Sequence, residues 1–123
     1  MSLTLKDTHV SAWESVSIGI DSGTAITAGI NFGGFRLFSI VMPDAWTAAN
    51  ITFQMSPDGG STWANLKDKD GNEINAVAGA SDCIVLDHTL FASFQHLRLR
   101  SGTSNTPVNQ AAVRTVRLIL RGV

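Results

Sequence analysis

The sequence predicts an all-β protein: a single β-sandwich or jelly-roll-like domain of antiparallel strands. Apolar and polar residues alternate with a period of two along most of the chain, as they do in strands that bury one face. Clusters of Gly, Asp and Asn interrupt the alternation at short intervals, which is typical of turns between strands. No stretch keeps a helical period for the roughly 10–12 residues that a core helix needs, so sandwich and barrel architectures remain.

The first half of the chain contains alternating segments around one apolar run. Residues 10–20 predict one early strand or two, ended by the turn signal at residues 21–23. Residues 26–32 have apolar side chains at every second position and predict the next strand. Residues 35–42 are almost all apolar, which predicts a central strand covered on both faces. Residues 51–55 alternate again and predict a half-buried strand.

Short turns join the strands that follow. Residues 58–60 are expected to turn the chain, so that residues 63–66 return as the hairpin partner of the preceding strand. Residues 68–72 predict a second tight turn. Ile74 and residues 83–86 are then expected to belong to the next pair of strands.

The C-terminal third includes the one stretch with helical potential. Residues 88–94 predict a short helical turn. Residues 97–100 alternate leucine with arginine and predict a strand, which a loop at residues 101–109 follows. The last strand is predicted over about residues 113–121.

One domain is expected, because 123 residues is a common domain size and the chain has no linker, repeat or low-complexity tract. We assign residues 14–123 to the sandwich and residues 1–13 to an N-terminal arm. The hydrophobic fraction of 44% and the mean hydropathy of +0.14 exclude a disordered chain. Charged residues make up only 15%, so the polar surface can lie against other subunits at little desolvation cost.

The net charge of −1 offers no overall attraction to nucleic acid or to an anionic membrane. The charges are unevenly distributed, since no acidic residue follows Asp87. Residues 1–10 do not resemble a signal peptide, and no apolar segment reaches the roughly 18 residues of a membrane span. We therefore expect a protein made in a cytoplasm, with neither nucleic acid nor a membrane as its partner.

Known catalytic and metal-binding patterns are missing from the sequence. Cys83 is the single cysteine, so no intrachain disulfide can form, and its apolar neighbours predict a small buried side chain. His9, His88 and His96 are scattered, with no second ligand at metal-binding spacing. Nucleophile-elbow and P-loop glycine patterns do not occur. We expect no enzyme activity and neither a cofactor nor a metal.

The sharpest local motif is Ser-x-Asp-x-Gly-x-Thr-Trp, which resembles the Asp-box hairpin of sialidases and other β-proteins. Its Asp carboxylate can accept backbone N–H bonds across the turn, its glycine supplies positive φ, and its Trp packs beneath. A single copy predicts a structural hairpin, whereas a sialidase would need several copies in a longer chain. The motif residues are Ser56, Asp58, Gly60, Thr62 and Trp63.

Asp68 and Asp70, followed by Gly71 and Glu73, leave two interpretations open. A calcium ion takes several oxygen ligands from a short loop, but the spacing misses the EF-hand pattern. An Asp-Gly hairpin turn with solvated charges explains these residues more simply. We favour the turn and leave calcium binding open.

The tryptophans allow either a core role or a glycan-binding role. Exposed aromatic rings are a common means by which β-sandwich modules bind sugars, whereas burial is the usual fate of Trp in a small β-domain. Trp63 fits the core of its hairpin. Trp46, which lies in a predicted loop, and Trp13 are the candidates for glycan contact, although we favour burial.

Four arginines are candidates for contact with a protein partner. Arg98 and Arg100 share one face of their strand, and Arg117 and Arg121 share one face of the last strand. If both strands lie in one sheet, four guanidinium groups line one surface. That surface could dock to an acidic neighbour through Arg–carboxylate pairs, and a solvated outer face is the alternative.

Several segments together resemble one family of virion proteins. They are residues 42–54, the Asp-box segment, the turn at residues 68–71, and residues 97–103 followed by 107–114. Their order resembles small β-sandwich proteins encoded among the virion genes of tailed bacteriophages and of phage-like gene transfer agents. The resemblance covers roughly residues 25–121 and implies a head decoration, a capsid spike or a fibre.

We therefore expect a non-enzymatic structural virion protein that is made in the cytoplasm of a bacterial host. It would attach to the major capsid protein, or to another virion protein, as a capsid decoration, cement or head-spike protein, and form a homo-oligomer. The four-arginine face or the N-terminal arm would contact the capsid shell. The alternative is a carbohydrate-binding module for attachment to a host surface, of the tail or head fibre adhesin type.

Overall fold

Two antiparallel sheets pack face to face around one apolar core, as the sequence predicts. The computed structural model describes residues 13–93 and 95–122. Sheet A has the strand order β1-β9-β3-β7, and sheet B has the order β2-β8-β4-β5, with β6 paired to β4. The strands are β1 (Trp13–Ile20), β2 (Ile30–Asn31), β3 (Phe35–Val41), β4 (Ile51–Ser56), β5 (Ala64–Asn65), β6 (Asn75–Ala76), β7 (Cys83–Val85), β8 (His96–Ser101) and β9 (Arg114–Gly122).

The core consists of the inward-facing residues of the long strands. Val116, Leu118 and Leu120 face it from β9, and Leu97 and Leu99 face it from β8. Burying each of these side chains stabilises the fold by about 1.5–3 kcal/mol. The residues between them lie on the outer faces of the two sheets, so strand periodicity decides which side chains can meet a partner.

β3 is the central strand that the apolar run predicts. It lies between β9 and β7, and its Leu37 and Ile40 are fully buried. A bulge between Leu37 and Ser39 shifts the register with β9. The remaining side chains of β3 are half-buried, so its second face is less covered than predicted.

The predicted turns and the helical segment are also present. β4 and β5 form the first hairpin, with Gln54 opposite Asn65. Lys67 and Glu73 pair across the second turn. The helical segment is the 3-10 helix His88–Phe91, in which Phe91 is buried.

The strand predicted over residues 26–32 is largely wrong. Only Ile30–Asn31 forms a strand, while Thr27 is buried and Ile26 is 38% exposed. The Thr27 N–H donates to the Leu99 carbonyl at 3.0 Å, and the Thr27 hydroxyl accepts from the Leu99 N–H at 3.0 Å. Because the N–H and the hydroxyl of Thr27 both have partners, this threonine can be buried, and the predicted alternation is inverted over residues 25–28.

The predicted burial of Cys83 is wrong, because this side chain is exposed. β7 is an edge strand of sheet A, and its Ile84 packs against the core. Cys83 and Val85 therefore face outward. Ile74 lies beside β6 in sheet B, so its predicted pairing with residues 83–86 is also wrong.

The buried side chain of Gln110 holds the loops together at one end of the sandwich. Its Oε1 accepts from the Thr47 N–H at 2.8 Å, and its Nε2 donates to the Thr47 carbonyl at 3.1 Å and to Ser101 Oγ at 2.6 Å. The Gln110 backbone N–H also donates to the Thr24 carbonyl at 2.9 Å. These bonds order the loop that carries Trp46.

The N-terminal end of the sandwich starts with Trp13, the first residue of β1. The rest of the predicted arm, and Val10 and Ala12 of the predicted early strand, lie outside the described residues. Among the residues that are described, no helix is long and apolar enough to cross a membrane.

Candidate functional site

The Asp-box residues form the hydrogen-bonded turn that their sequence predicts. The carboxylate of Asp58 accepts from the Thr62 hydroxyl at 2.6 Å and from the Thr62 N–H at 2.8 Å. These bonds, the one from the hydroxyl foremost, lower the pKa of Asp58 to about 2. Ser56 Oγ donates to Asp58 and accepts from the N–H of Gly60, whose φ is +101°. The carboxylate is thus occupied in holding the hairpin.

The predicted place of Trp63 in the core of its hairpin is wrong, because the ring is half-buried on the outer face of sheet B, beside Arg98. The Arg98 guanidinium stacks 4.4 Å from the centroid of its ring. A Cβ at Gly29 would come within 2.8 Å of the ring, so the backbone of Gly29 packs directly against the indole. This packing leaves little of Trp63 for a sugar.

Arg100 is only 4% exposed, which contradicts its predicted place on a docking surface. Its guanidinium donates to Thr52 Oγ1 at 3.0 Å, to Asn65 Oδ1 at 2.9 Å and to Glu73 Oε2 at 2.9 Å. Glu73 Oε1 also accepts from the Ser104 N–H at 3.1 Å. Arg100 therefore belongs to a buried network that fixes the outer side of sheet B.

Arg98 is engaged in the same region of sheet B. Its Nε donates to Gln54 Oε1 at 2.8 Å, and its guanidinium covers Trp63. Burial, with the nearby charge of Arg100 as the smaller cause, lowers the pKa of Arg98. This arginine is less available to a partner than its place in the sequence suggests.

The turn that contains Asp68 and Asp70 uses its carboxylates locally. Asp68 Oδ1 accepts from the N–H groups of Asp70 and Asn72, both at 2.9 Å, and Asp70 pairs with Lys69 at 3.1 Å. Glu73 points instead to Arg100. In the described ranges, no group of three or more His, Cys, Asp or Glu could hold a metal ion.

The predicted surface of four arginines does not exist, because its two strands lie in different sheets. Arg98 and Arg100 belong to β8 of sheet B, whereas Arg117 and Arg121 belong to β9 of sheet A. The two pairs point away from the core on opposite sides of the sandwich. Of the four arginines, Arg117 and Arg121 are the two on the outer face of sheet A.

Strand register defines the outer face of sheet A, which we call face A. Residues that pair across neighbouring antiparallel strands point to the same side of a sheet. Face A consists of Trp13, Ser15, Ser17 and Gly19 in β1, Thr115, Arg117, Ile119 and Arg121 in β9, Arg36, Ser39 and Val41 in β3, and Cys83 and Val85 in β7.

Face A is positively charged and contains no acidic residue. Its charges are those of Arg36, Arg117 and Arg121. Arg117 donates to Ser15 Oγ at 3.1 Å, and no carboxylate of the described chain forms an ion pair with any of the three. Arg36 does not stand out in the sequence because it lies in an apolar run, and only its register opposite Arg121 reveals its place on face A.

The uncharged part of face A is a mixture of small and apolar side chains. Val85 is 81% exposed and Trp13 is 56% exposed, while Ile119 is half-buried. The short side chains of Ser15 and Ser17 protrude little from this surface. Exposed apolar groups beside arginines are typical of protein interfaces, so face A is the candidate functional site.

The two tryptophans proposed for glycan contact differ in exposure. Trp46 is half-buried against the core, and its Nε1 donates to the Ala49 carbonyl at 3.0 Å. Trp13 is exposed and lies directly opposite Arg121 in the register of β1 and β9. Of these two tryptophans, Trp13 is the one whose ring is exposed to a ligand.

Comparison with known proteins supports the fold. No protein-family model matches the chain, and no curated protein matches it in sequence. Its structure is similar to that of the SPBc2 prophage-derived protein YomS, with a TM-score of 0.56 and 14% sequence identity. The similarity covers 94% of this chain and 100% of that one, and at this identity it shows a shared fold.

Proposed function

We propose that this chain is a non-enzymatic structural protein of a phage-type virion, attached through face A to the major capsid protein as a capsid decoration, cement or head-spike protein. The segments at residues 42–54, 56–63, 68–71, 97–103 and 107–114 support it through their resemblance to phage virion proteins. The structural similarity to a prophage-derived protein agrees with this origin. The protein would be made in the bacterial cytoplasm and carried on the virion.

The observation that carries the proposal is the contrast between the two outer faces. On sheet B, Arg98 and Arg100 are held by side chains of their own sheet, Gln54 for Arg98 and Thr52 and Asn65 for Arg100. On face A, Arg36 and Arg121 have no acidic partner in the described part of the chain. This surface has unpaired positive charge beside exposed apolar groups. It is therefore suited to a partner that supplies both acidic and apolar side chains.

Many weak contacts on a lattice would hold such a protein in place. A modest interface per copy gains strength when copies are linked, because the second contact becomes intramolecular. Face A is unsuited to pairing with itself across a two-fold axis, since that would place arginines of two copies together. The proposed homo-oligomer would therefore use a different surface.

The docking role of face A is tested with a neutral, bulky side chain. Ser17 is exposed on β1, where tyrosine is well tolerated in a strand. We expect Ser17→Tyr to reduce the copies per particle at least about tenfold, since a loss of about 1.4 kcal/mol in docking has that effect. Particles from the natural host, quantified by mass spectrometry, give the copy number.

Asn75→Tyr is the matched control, because Asn75 is an exposed residue on the outer face of sheet B, opposite Thr52. It should leave the copy number unchanged. If particles incorporate Ser17→Tyr normally but lose Asn75→Tyr, the docking surface is on sheet B and not on face A. Absence of the wild-type chain from particles would reject the virion role itself.

A glycan-binding module for host attachment is the second candidate, and the exposure of Trp13 favours it. An aromatic ring beside Arg121 and Ser15 offers an apolar platform with polar neighbours. This candidate predicts that a glycan array gives specific binding, that Trp13→Ala abolishes it and that Trp13→Phe keeps most of it. An array without any specific signal, or full binding by Trp13→Ala, contradicts it.

A further inference from the structure

Arg36 and Arg121 are directly opposite each other in the register of β3 and β9. In such a pair the Cβ atoms are about 4.5–5.5 Å apart, and like charges in this position destabilise the sheet. Both side chains are half-buried, so water screens them less than fully exposed arginines. The fold therefore keeps an unfavourable pair in the middle strands of sheet A.

Glu14, which lies in β1 next to the residue opposite Arg121, does not relieve this repulsion. Trp13 is the β1 residue opposite Arg121, and Glu14 follows it. Glu14 is paired with Leu120, whose side chain faces the core, so Glu14 points away from face A. Within the described part of the chain, the ion pairs are those of Lys69 with Asp70 and Arg100 with Glu73.

Arginines directly opposite each other can bring both of their guanidinium groups to one carboxylate. Each presents a planar set of N–H donors that matches the two oxygens of Asp or Glu, and a carboxylate between them would neutralise the repulsion. Trp13 on one side and Ile119 in the next row add apolar contact that a protein side chain can fill. A sugar-phosphate backbone would leave those apolar groups uncovered.

We propose that face A recognises an acidic segment of its protein partner, with one Asp or Glu carboxylate seated between Arg36 and Arg121. This inference rests on the proposed function, which makes face A the docking surface. It adds the chemistry of the partner and identifies Arg36 as a specificity-determining residue. The like-charge pair is then kept for binding, at a cost to the stability of the free protein.

The test measures rebinding of purified protein to particles that lack it. Arg36→Gln and Arg121→Gln are each expected to weaken binding at least about tenfold, the change that about 1.4 kcal/mol produces. Wild-type binding should weaken as salt rises from low to high concentration, and the double variant should lose most of that dependence. Lys69→Gln, which removes an exposed positive charge from the turn between β5 and β6 of sheet B, should bind like the wild type.

Thermal unfolding of the free protein separates binding from structure. Removing one arginine of a like-charged pair relieves repulsion, so Arg121→Gln should raise the unfolding midpoint by about 1–5 °C while it weakens docking. An arginine with a merely structural role would lower the midpoint when it is removed. A lowered midpoint for both single variants would therefore contradict the proposal.

Competition identifies the class of partner, with hexaglutamate and a single-stranded oligothymidylate of the same charge as probes. Stronger inhibition by hexaglutamate supports an acidic protein segment, and stronger inhibition by the oligonucleotide overturns it. If Ser17→Tyr fails to dock while both arginine variants bind normally, face A is the interface but the carboxylate inference is wrong. If all three variants bind normally, the proposed function fails as well.

Discussion

Replacing Glu73 by alanine is expected to lower the free energy of unfolding by about 3–5 kcal/mol, because it leaves the buried charge of Arg100 without its ion-pair partner. The side chains of Arg100 and Glu73 are 5% and 16% exposed, and their N–O distance is 2.9 Å. The loss is a large part of the roughly 5–15 kcal/mol that stabilises a typical domain. Urea unfolding followed by tryptophan fluorescence measures it, since Trp63 lies on the same face.

Two controls isolate the effect of burial. Asp70→Ala breaks the exposed pair with Lys69, whose side chain is 89% exposed, and should change stability by no more than about 1 kcal/mol. The double change Arg100→Met with Glu73→Leu removes both charges and should cost less than Glu73→Ala alone. Equal small losses for Glu73→Ala and Asp70→Ala would show that the network of sheet B is unimportant for stability.

Phe53→Ala is expected to lower the free energy of unfolding by about 3–5 kcal/mol through loss of apolar burial and formation of a cavity. Phe53 is fully buried in β4, and its ring meets the edge of the Phe91 ring at a centroid distance of 5.1 Å. This contact fastens the 3-10 helix to sheet B. The change should therefore loosen both the core and the segment that leads into β8.

Phe53→Leu is the matched variant, because it keeps most of the apolar volume and should cost less than about half as much. Denaturant unfolding gives the stabilities, and hydrogen exchange of the amides in His88–Phe91 reports the local effect. Similar stabilities for the two variants would mean that the cavity closes by rearrangement. A loss below about 1 kcal/mol for Phe53→Ala would contradict the central place of this ring.

Strands whose two faces differ clearly in polarity are the ones that the sequence predicts best. In β8 leucines alternate with arginines, and the Asp-box turn has a local cause in its own side chains. β7 shows the limit, because Cys83, Ile84 and Val85 are all apolar and do not reveal which faces the core. Thr27 shows a second limit of prediction from sequence, since its burial depends on hydrogen bonds to Leu99.

The candidate site was harder to predict because it depends on pairing between distant segments. Arg117 and Ser15, which are 102 positions apart in sequence, meet only because β1 pairs with β9. Periodicity places Arg117 and Arg121 on one face of a strand but does not assign that strand to a sheet. For the same reason the burial of Arg100 and the pairing of Arg36 with Arg121 follow only from the structure.

The docking of face A is tested most directly by electron cryo-microscopy of the intact particle at side-chain resolution. We predict density for this chain with face A against the capsid protein and the outer face of sheet B toward solvent. Arg36 and Arg121 should both lie within hydrogen-bond distance of one carboxylate of the partner. A chain bound with face A exposed to solvent, or particles without this chain, would contradict the proposed function.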